Sequence, residues 1–231
     1  MHVSWSEMET LATKAAIGIG VPAGLAEEAG LAVAWLGRSG RPGATIIWRA
    51  LQNISTGYAS PVAMKDKKSL QPKVSGTLAS ALYAAPSVAD FLHLVPEIRV
   101  EKLDEPLLLF GHLAASSALL NRGLFFQAKG LGNESWKAFI KNGYGMIDDE
   151  LYRDLHQESG SEVIVTAVND PDDWVKMADR YQMGVRQKFE NSMTITEKEM
   201  INLQRFSEQM LVPESTASRI KGAGAGVVDT D

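Results

Sequence analysis

Arg219 carries the most specific recognition chemistry in this sequence. It stands beside Ser218 and shortly after Glu214 and Ser215, and a planar guanidinium grips a carboxylate or phosphate through two parallel hydrogen bonds. Gly222, Gly224 and Gly226 follow at every second position, which lets the backbone approach another surface closely. Arg219, Ser218, Ser215 and these three glycines form a candidate set for a small anionic ligand. The competing reading pairs Arg219 with Glu214 or the terminal acids and makes the glycines a loose tail, because single arginines commonly serve ion pairs and chain ends are commonly mobile. A dinucleotide-type glycine turn does not fit: it must follow a strand and open a helix, and only Val227 to Asp231 remain.

Four histidines are scattered without the spacing of a helical metal site. Only His112 sits in an apolar segment, where it is a candidate binding residue or an interior histidine with satisfied hydrogen bonds. Asp148, Asp149 and Glu150, with Asp154 and Glu158, are acidic enough to raise a divalent cation, yet lack the spacing and glycine of a calcium loop; a solvated helix start is the plainer account. Ser116 and Ser117 lack the glycine setting of a nucleophile elbow. No catalytic constellation is legible, and neither a metal nor a cofactor is expected.

Composition bounds the rest. The 231 residues are 45% hydrophobic and 22% charged, which suits a single globular domain with a sizeable core. The net charge of −5 argues against a nucleic-acid partner, which needs a positive face. The longest apolar run, 106–120, is too short for a membrane span. No cysteine is present, which suits a reducing compartment. The opening residues lack the regions of a secretory signal, so the reading expects a cytoplasmic protein beginning near Met1.

Three helices are expected in the first fifty residues. Ser4 and Glu7 form a capping box, with Val3 and Met8 as its hydrophobic staple. Gly18 and Gly20 close that helix, Val21-Pro22 opens the second, and Leu25, Ala29, Ala32 and Leu36 make its buried stripe, with Glu27 and Glu28 on the wet side. A glycine-rich loop over 37–43 precedes a short third helix around Ile46 to Leu51. Residues 53–75 lose periodicity and read as a long surface loop or sub-boundary, its Lys65, Lys67, Lys68 and Lys73 as solvated charge before an anion patch.

Ser87 is expected to cap a helix running through His93, with Asp90 as its capping-box partner. Ile98, Val100 and Leu103 alternate as a strand, 124–128 and 162–167 read as strands, and 136–140 as a short helix or strand. The run 106–120 is either a buried helix or, from Leu107 to Phe110, an interior strand. No Asn-Gly hairpin is read as joining these strands. The last third is expected to be helical, with Asp170 or Asn169 capping one helix and Thr196 another, the latter with Glu199 in its capping box and Ile195 and Met200 as staple. The fold class is therefore α+β, mostly helical, with a small sheet.

Two resemblances add to this. The opening 3–7 through Ala26-Glu27-Glu28-Ala29-Gly30, with Val212-Pro213-Glu214-Ser215, Ser218-Arg219 and the final glycines, resembles a bacterial family catalogued as domain of unknown function 3726, over essentially the whole chain. That resemblance implies a bacterial cytoplasmic origin and no activity. The first forty residues are also similar to the N-terminal segment of the malate and L-lactate dehydrogenase family with a non-Rossmann fold. Members of that family follow it with a Ser-His-Gly motif whose histidine serves catalysis. Here the matching stretch is Arg38-Ser39-Gly40-Arg41-Pro42-Gly43, without a histidine, so the enzymatic role does not transfer. The functional expectation is a non-catalytic binding or accessory protein of small-molecule metabolism, either a homo-oligomer or a partner of a metabolic enzyme. The alternative is an enzyme or binder acting on a small anionic metabolite through Arg219.

Overall fold

The computed structural model describes residues 1–120, 122–130, 135–147, 160–168 and 192–210. Within them the chain is α+β, with helices α1 (Trp5–Gly18), α2 (Ala23–Arg38), α3 (Gly43–Ser55), α4 (Ala81–Phe91), α5 (Pro106–Leu120) and α6 (Glu197–Glu208). Strands β2 (Ala59–Ser60), β3 (Val62–Asp66), β4 (Ser69–Pro72), β5 (Leu78–Ala79), β6 (Glu97–Leu103), β7 (Gly123–Lys129), β8 (Ser135–Lys141), β9 (Tyr144–Ile147) and β10 (Ser161–Val168) form one sheet of nine strands. The short β1 (His2–Val3) pairs with β11 (Met193–Thr194) in a separate ribbon. The sheet is thus larger than expected.

Both capping boxes are present: the Ser4 hydroxyl accepts from the Glu7 N–H while the Glu7 carboxylate accepts from the Ser4 N–H, and Thr196 and Glu199 repeat the pattern. Each fixes where its helix starts by satisfying amides that have no partner inside the helix. The staples close as well, with Val3, Met8 and Ile195 buried and Met200 packed on the core.

Residues 53–75 are not a long loop. After α3 the chain forms an antiparallel β3–β4 hairpin, and β4 runs parallel to the start of β6. Most of its side chains are half-exposed or exposed, while Leu70 is buried and Val62 packs on the core, so main-chain ladder bonds anchored by these two apolar residues hold it. Lys65 pairs with Glu101 at 2.7 Å.

Helix α4 begins at Ala81, not at Ser87; Ser87 lies inside it and donates to the Tyr83 carbonyl. Its first amide is satisfied from afar, because Asp104 Oδ1 accepts from the Ala81 N–H at 2.7 Å. Residues 136–140 are strand, and 106–120 is helix throughout. An Asn-Gly hairpin does occur: Asn142 (φ 49°) and Gly143 (φ 81°) join β8 to β9 with Lys141 opposite Tyr144. Both central residues take the positive φ that a type I′ turn demands. The helix expected after Asp170 lies outside the described residues, as do Asp148, Asp149, Glu150, Asp154 and Glu158.

Helix α5 is apolar almost all round because most of it is enclosed, packing on α2 and α4 on one side and β7, β8 and β9 on the other, with Leu119 near its end exposed. Leu124, Phe126, Ala128, Trp136, Ala138, Ile140, Val163 and Val165 turn one sheet face to it. Phe110 of α5 meets Trp35, Phe126 and Trp136 edge-on, at 5.5, 5.7 and 6.1 Å between ring centroids. Ser117 accepts from the Gly143 N–H at 2.7 Å, and Trp35 Nε1 donates to the Gly143 carbonyl at 2.8 Å, so the β8–β9 turn is pinned to both helices. No helix among the described residues is long and apolar enough to cross a membrane.

Candidate functional site

Helices α2, α4 and α5 meet around an open cleft of about 460 Å³. Each wall is one helical face. From α2 come Glu28 and Leu31, from α4 and its end Pro86, Ala89, Asp90 and His93, and from α5 His112, Ala115, Ser116 and Leu119, all at spacings of three and four that stack on one side of a helix. Ala89, Ala115 and Ser116 are small, so the helices leave room between them. A separate void of about 10 Å³, lined in part by Ala29, Ala32, Ala81 and Ala85, shares Glu28, Pro86 and His112 with the cleft.

His112 is 7% exposed, and its Nε2 lies 3.7 Å from Glu28 Oε2. Burial drives its pKa down to about 4, against the Glu28 main chain and the Asp90 charge, which pull upward. The ring is neutral at pH 7 as a result, since removing an imidazolium from water costs more than these partners return. Glu28 moves the opposite way: burial, then the neighbouring Asp90 carboxylate, raise its pKa. Its side chain is 44% exposed overall, yet Oε2 itself is shielded from water and has no hydrogen-bond partner. Ser116 donates its hydroxyl to the His112 carbonyl at 2.8 Å, which occupies the proton a nucleophilic serine would have to release.

A second buried polar cluster lies at the starts of α4 and α5. Asp104 Oδ1 accepts from the N–H groups of Ala81 and Glu105, each at 2.7 Å, and Glu105 Oε1 receives Arg49 Nε at 2.6 Å. Burial raises Asp104 to about 6 and Glu105 to about 8, the Arg49 guanidinium opposing the latter. Anions at helix N-termini are favourable there, and the cluster joins two helix starts to α3. Its signal was in the sequence: Asp104-Glu105-Pro106 before an apolar run is an acid at the cap and a proline at the first helical position.

Of the candidate binding residues, His112 is in the cleft. Arg219, Ser218, Ser215, Gly222, Gly224 and Gly226 lie outside the described residues. The cleft brings in two acids that the sequence reading placed elsewhere. Glu28, read as a wet-face residue, walls the cleft beside His112, and Asp90, read as a capping partner, faces it from α4. Among the described residues no group of three His, Asp or Glu side chains could hold a metal.

Residues 38–43 form the turn from α2 into α3. Ser39 caps α2, its hydroxyl donating to the Leu36 carbonyl at 2.8 Å, and Pro42 stands at the α3 N-cap. Any side chain on Gly43 would meet the Val33 carbonyl at 2.7 Å, so the turn packs tightly on α2.

Residues 3–77 match the family model described as Protein of unknown function (DUF3726). That segment holds α1, α2, α3 and the β3–β4 hairpin, so the family resemblance covers the first third of the chain rather than all of it, and the glycine-rich ending is not part of the match. No curated protein matches the sequence. Among solved structures, the chain is similar to a candidate malate/lactate dehydrogenase from E. coli, with a TM-score of 0.56 at 8% identity over 96% of this chain and 98% of that one. It is also similar to the sulfolactate dehydrogenase of Methanocaldococcus jannaschii, with a TM-score of 0.55 at 9% identity over 91% and 98%. A dehydrogenase from Sinorhizobium meliloti gives 0.53 at 10% identity over 90% and 99%. At such identities the likeness is one of fold. It runs the length of the chain, further than the forty residues that carried it in the sequence.

Proposed function

We propose that the protein is a non-catalytic binding or accessory protein of small-molecule metabolism, built on the fold of malate/lactate dehydrogenases, with the cleft between α2, α4 and α5 as its ligand site. The observation that carries this reading is the cleft itself, where a neutral His112 and the Glu28 and Asp90 carboxylates line about 460 Å³ of space between largely apolar walls. Concave, mostly apolar space with a few polar groups is what small-molecule sites have in common. The α2–α3 turn supports the non-catalytic half of the reading, since Arg38 to Gly43 stand where the resembling dehydrogenases carry Ser-His-Gly. The absence of cysteine fits a cytoplasmic setting, and a second copy of the chain or a metabolic enzyme is the proposed protein partner.

The test is a melting-point screen of the full chain against hydroxy acids, amino acids, amines, phosphates and nicotinamide cofactors, beside the variant Ala115→Phe, which fills the cleft. A ligand that binds the native state raises its melting point by mass action. A shift seen in the wild type and lost in the variant supports the reading; a shift the variant retains removes the cleft from it.

A second reading keeps an enzyme or binder of small anionic metabolites acting through Arg219. It draws on the fold likeness to proteins named for malate, lactate and sulfolactate. Oxidation of reduced nicotinamide in the presence of 2-oxo acids, lost in Arg219→Ala, would support it over the first.

A further inference from the structure

Resting on the cleft as ligand site, we propose that its ligand is an organic cation, an amine carried on a small apolar body, with Glu28 and Asp90 receiving the ammonium group. The sign of the charge follows from the lining. Two carboxylates face the cleft from different helices, no lysine or arginine is among the residues that line it, and its remaining titratable groups are the imidazoles of His93 and His112. The imidazole of His112 adds no positive charge at neutral pH, because burial holds its pKa near 4. An anionic ligand would therefore sit against two like charges in a partly desolvated space, where Coulomb repulsion is least screened. A neutral ligand would leave the carboxylates repelling each other, as the upward shift of Glu28 by burial and by Asp90 records.

An ammonium group resolves both features. It places a positive charge between Glu28 and Asp90, and its N–H groups donate to the carboxylates that line the cleft. The neutral imidazole retains one unprotonated nitrogen able to accept a further N–H. The apolar body has its own surroundings in Leu31, Pro86 and Leu119, with Leu31 and Leu119 exposed at the mouth. A bare metal ion would use none of that apolar wall, and the described residues hold no ligand triad for one.

Three probes of the same shape and different charge decide it: benzylamine, benzyl alcohol and benzoate, titrated calorimetrically into the full chain at neutral pH. Benzylamine is expected to bind at least tenfold more tightly than the alcohol, and benzoate not at all. Glu28→Gln and Asp90→Asn should each weaken benzylamine about tenfold, equivalent to ~1.4 kcal/mol, and leave the alcohol unchanged. Both variants replace an acid by its isosteric amide, and equal circular dichroism and cooperative melting will show that they fold. Ala115→Phe should abolish binding of every probe. Benzyl alcohol or benzoate binding as tightly as benzylamine, with loss in Ala115→Phe, overturns the cation assignment and leaves the cleft as a site. Benzylamine binding unchanged in the double variant Glu28→Gln with Asp90→Asn overturns it as well. Binding of none of the three also overturns it, while the wider ligand screen still judges the cleft.

Discussion

Arg49 Nε and Glu105 Oε1 lie 2.6 Å apart across 56 residues of chain, and this contact ties the middle of α3 to the start of α5. Glu105 is almost wholly buried, whereas the Arg49 side chain is 24% exposed. Removing the arginine strands a carboxyl group away from water. Arg49→Met should destabilise the fold by about 2 kcal/mol in chemical denaturation at neutral pH, within the range for losing a hydrogen bond from a charged group, because Glu105 already holds its proton there. The double variant Arg49→Met with Glu105→Leu should recover most of that loss.

The same cluster sets a slope of stability against pH. Glu105 and Asp104 have pKa values raised on folding, to about 8 and about 6, so the native state holds their protons more tightly than the unfolded chain does. Their contribution is complete below the ordinary carboxylate range and is lost as pH rises through about 6 for Asp104 and about 8 for Glu105. Glu105→Gln should flatten the fall in melting point between pH 5 and about 8. A wild-type fall that persists in this variant would assign the slope to other groups.

His112 acts in the opposite sense. Its pKa is lowered from 6.5 to about 4, so the unfolded chain binds the proton first, and stability is lost as pH falls from 6.5 towards 4. Glu28, raised by burial and by Asp90, gives the contrary slope on the same side of neutrality. His112→Gln should therefore remove an acid-side loss of melting point, and Glu28→Gln should deepen it. Glu28→Gln should also melt higher than wild type at neutral pH, because the ionised carboxylate is the disfavoured form.

Two glycines separate rigid from yielding neighbours. A methyl group on Gly18 would overlap the carbonyl of Phe206 in α6, and one on Gly37 would overlap the terminal methyl of Met193. Main chain cannot step aside, whereas a methionine end can. Gly18→Ala should cost about 2–3 kcal/mol by over-packing, and Gly37→Ala under about 1.5 kcal/mol; equal costs in urea titrations would contradict the close α1–α6 crossing.

Thr196 gives a last measurable contrast. Its hydroxyl caps α6, and its partner Glu199 also receives the Thr45 hydroxyl from α3. Ser4→Ala should cost about 1 kcal/mol as an ordinary cap. Glu199→Ala should cost more, because it releases the α6 cap and the α3 contact together, and a double-mutant cycle with Thr45→Val should return a non-zero coupling.

Features written locally were legible. Ser4 with Glu7 and Thr196 with Glu199 each declare a helix start within four residues, and the alternation at Ile98 and around Val163 to Val165 declares strands that bury one face. The β3–β4 hairpin was not, because it buries little besides Leu70 and its ladder is held by backbone groups every residue possesses. Asn142-Gly143 was written in the sequence and passed over, since β9 is only four residues long. Helix α4 was misplaced because its start is capped by Asp104 from a distant segment rather than by its own Ser80, whose hydroxyl makes no capping bond. At the cleft, His112 stood out as a lone histidine in an apolar run. Glu28 looked like an ordinary wet-face acid and Asp90 like a capping partner, and only the crossing of α2, α4 and α5 brings them to one space.

The β1–β11 ribbon carries a consequence for how the molecule is made. The Met1 ammonium donates to the Ile195 carbonyl at 2.9 Å, and the first helix shares a tight seam with α6 at Gly18 and Phe206. Contacts between such distant segments close slowly, because loop-closure entropy must be met first. As the ribosome extrudes the chain from its amino end, α1 finds its neighbour α2 early but must wait for residues near 206 before its other flank is covered. Synthesis and folding are therefore out of step here: α1 emerges long before the segment that covers its second flank.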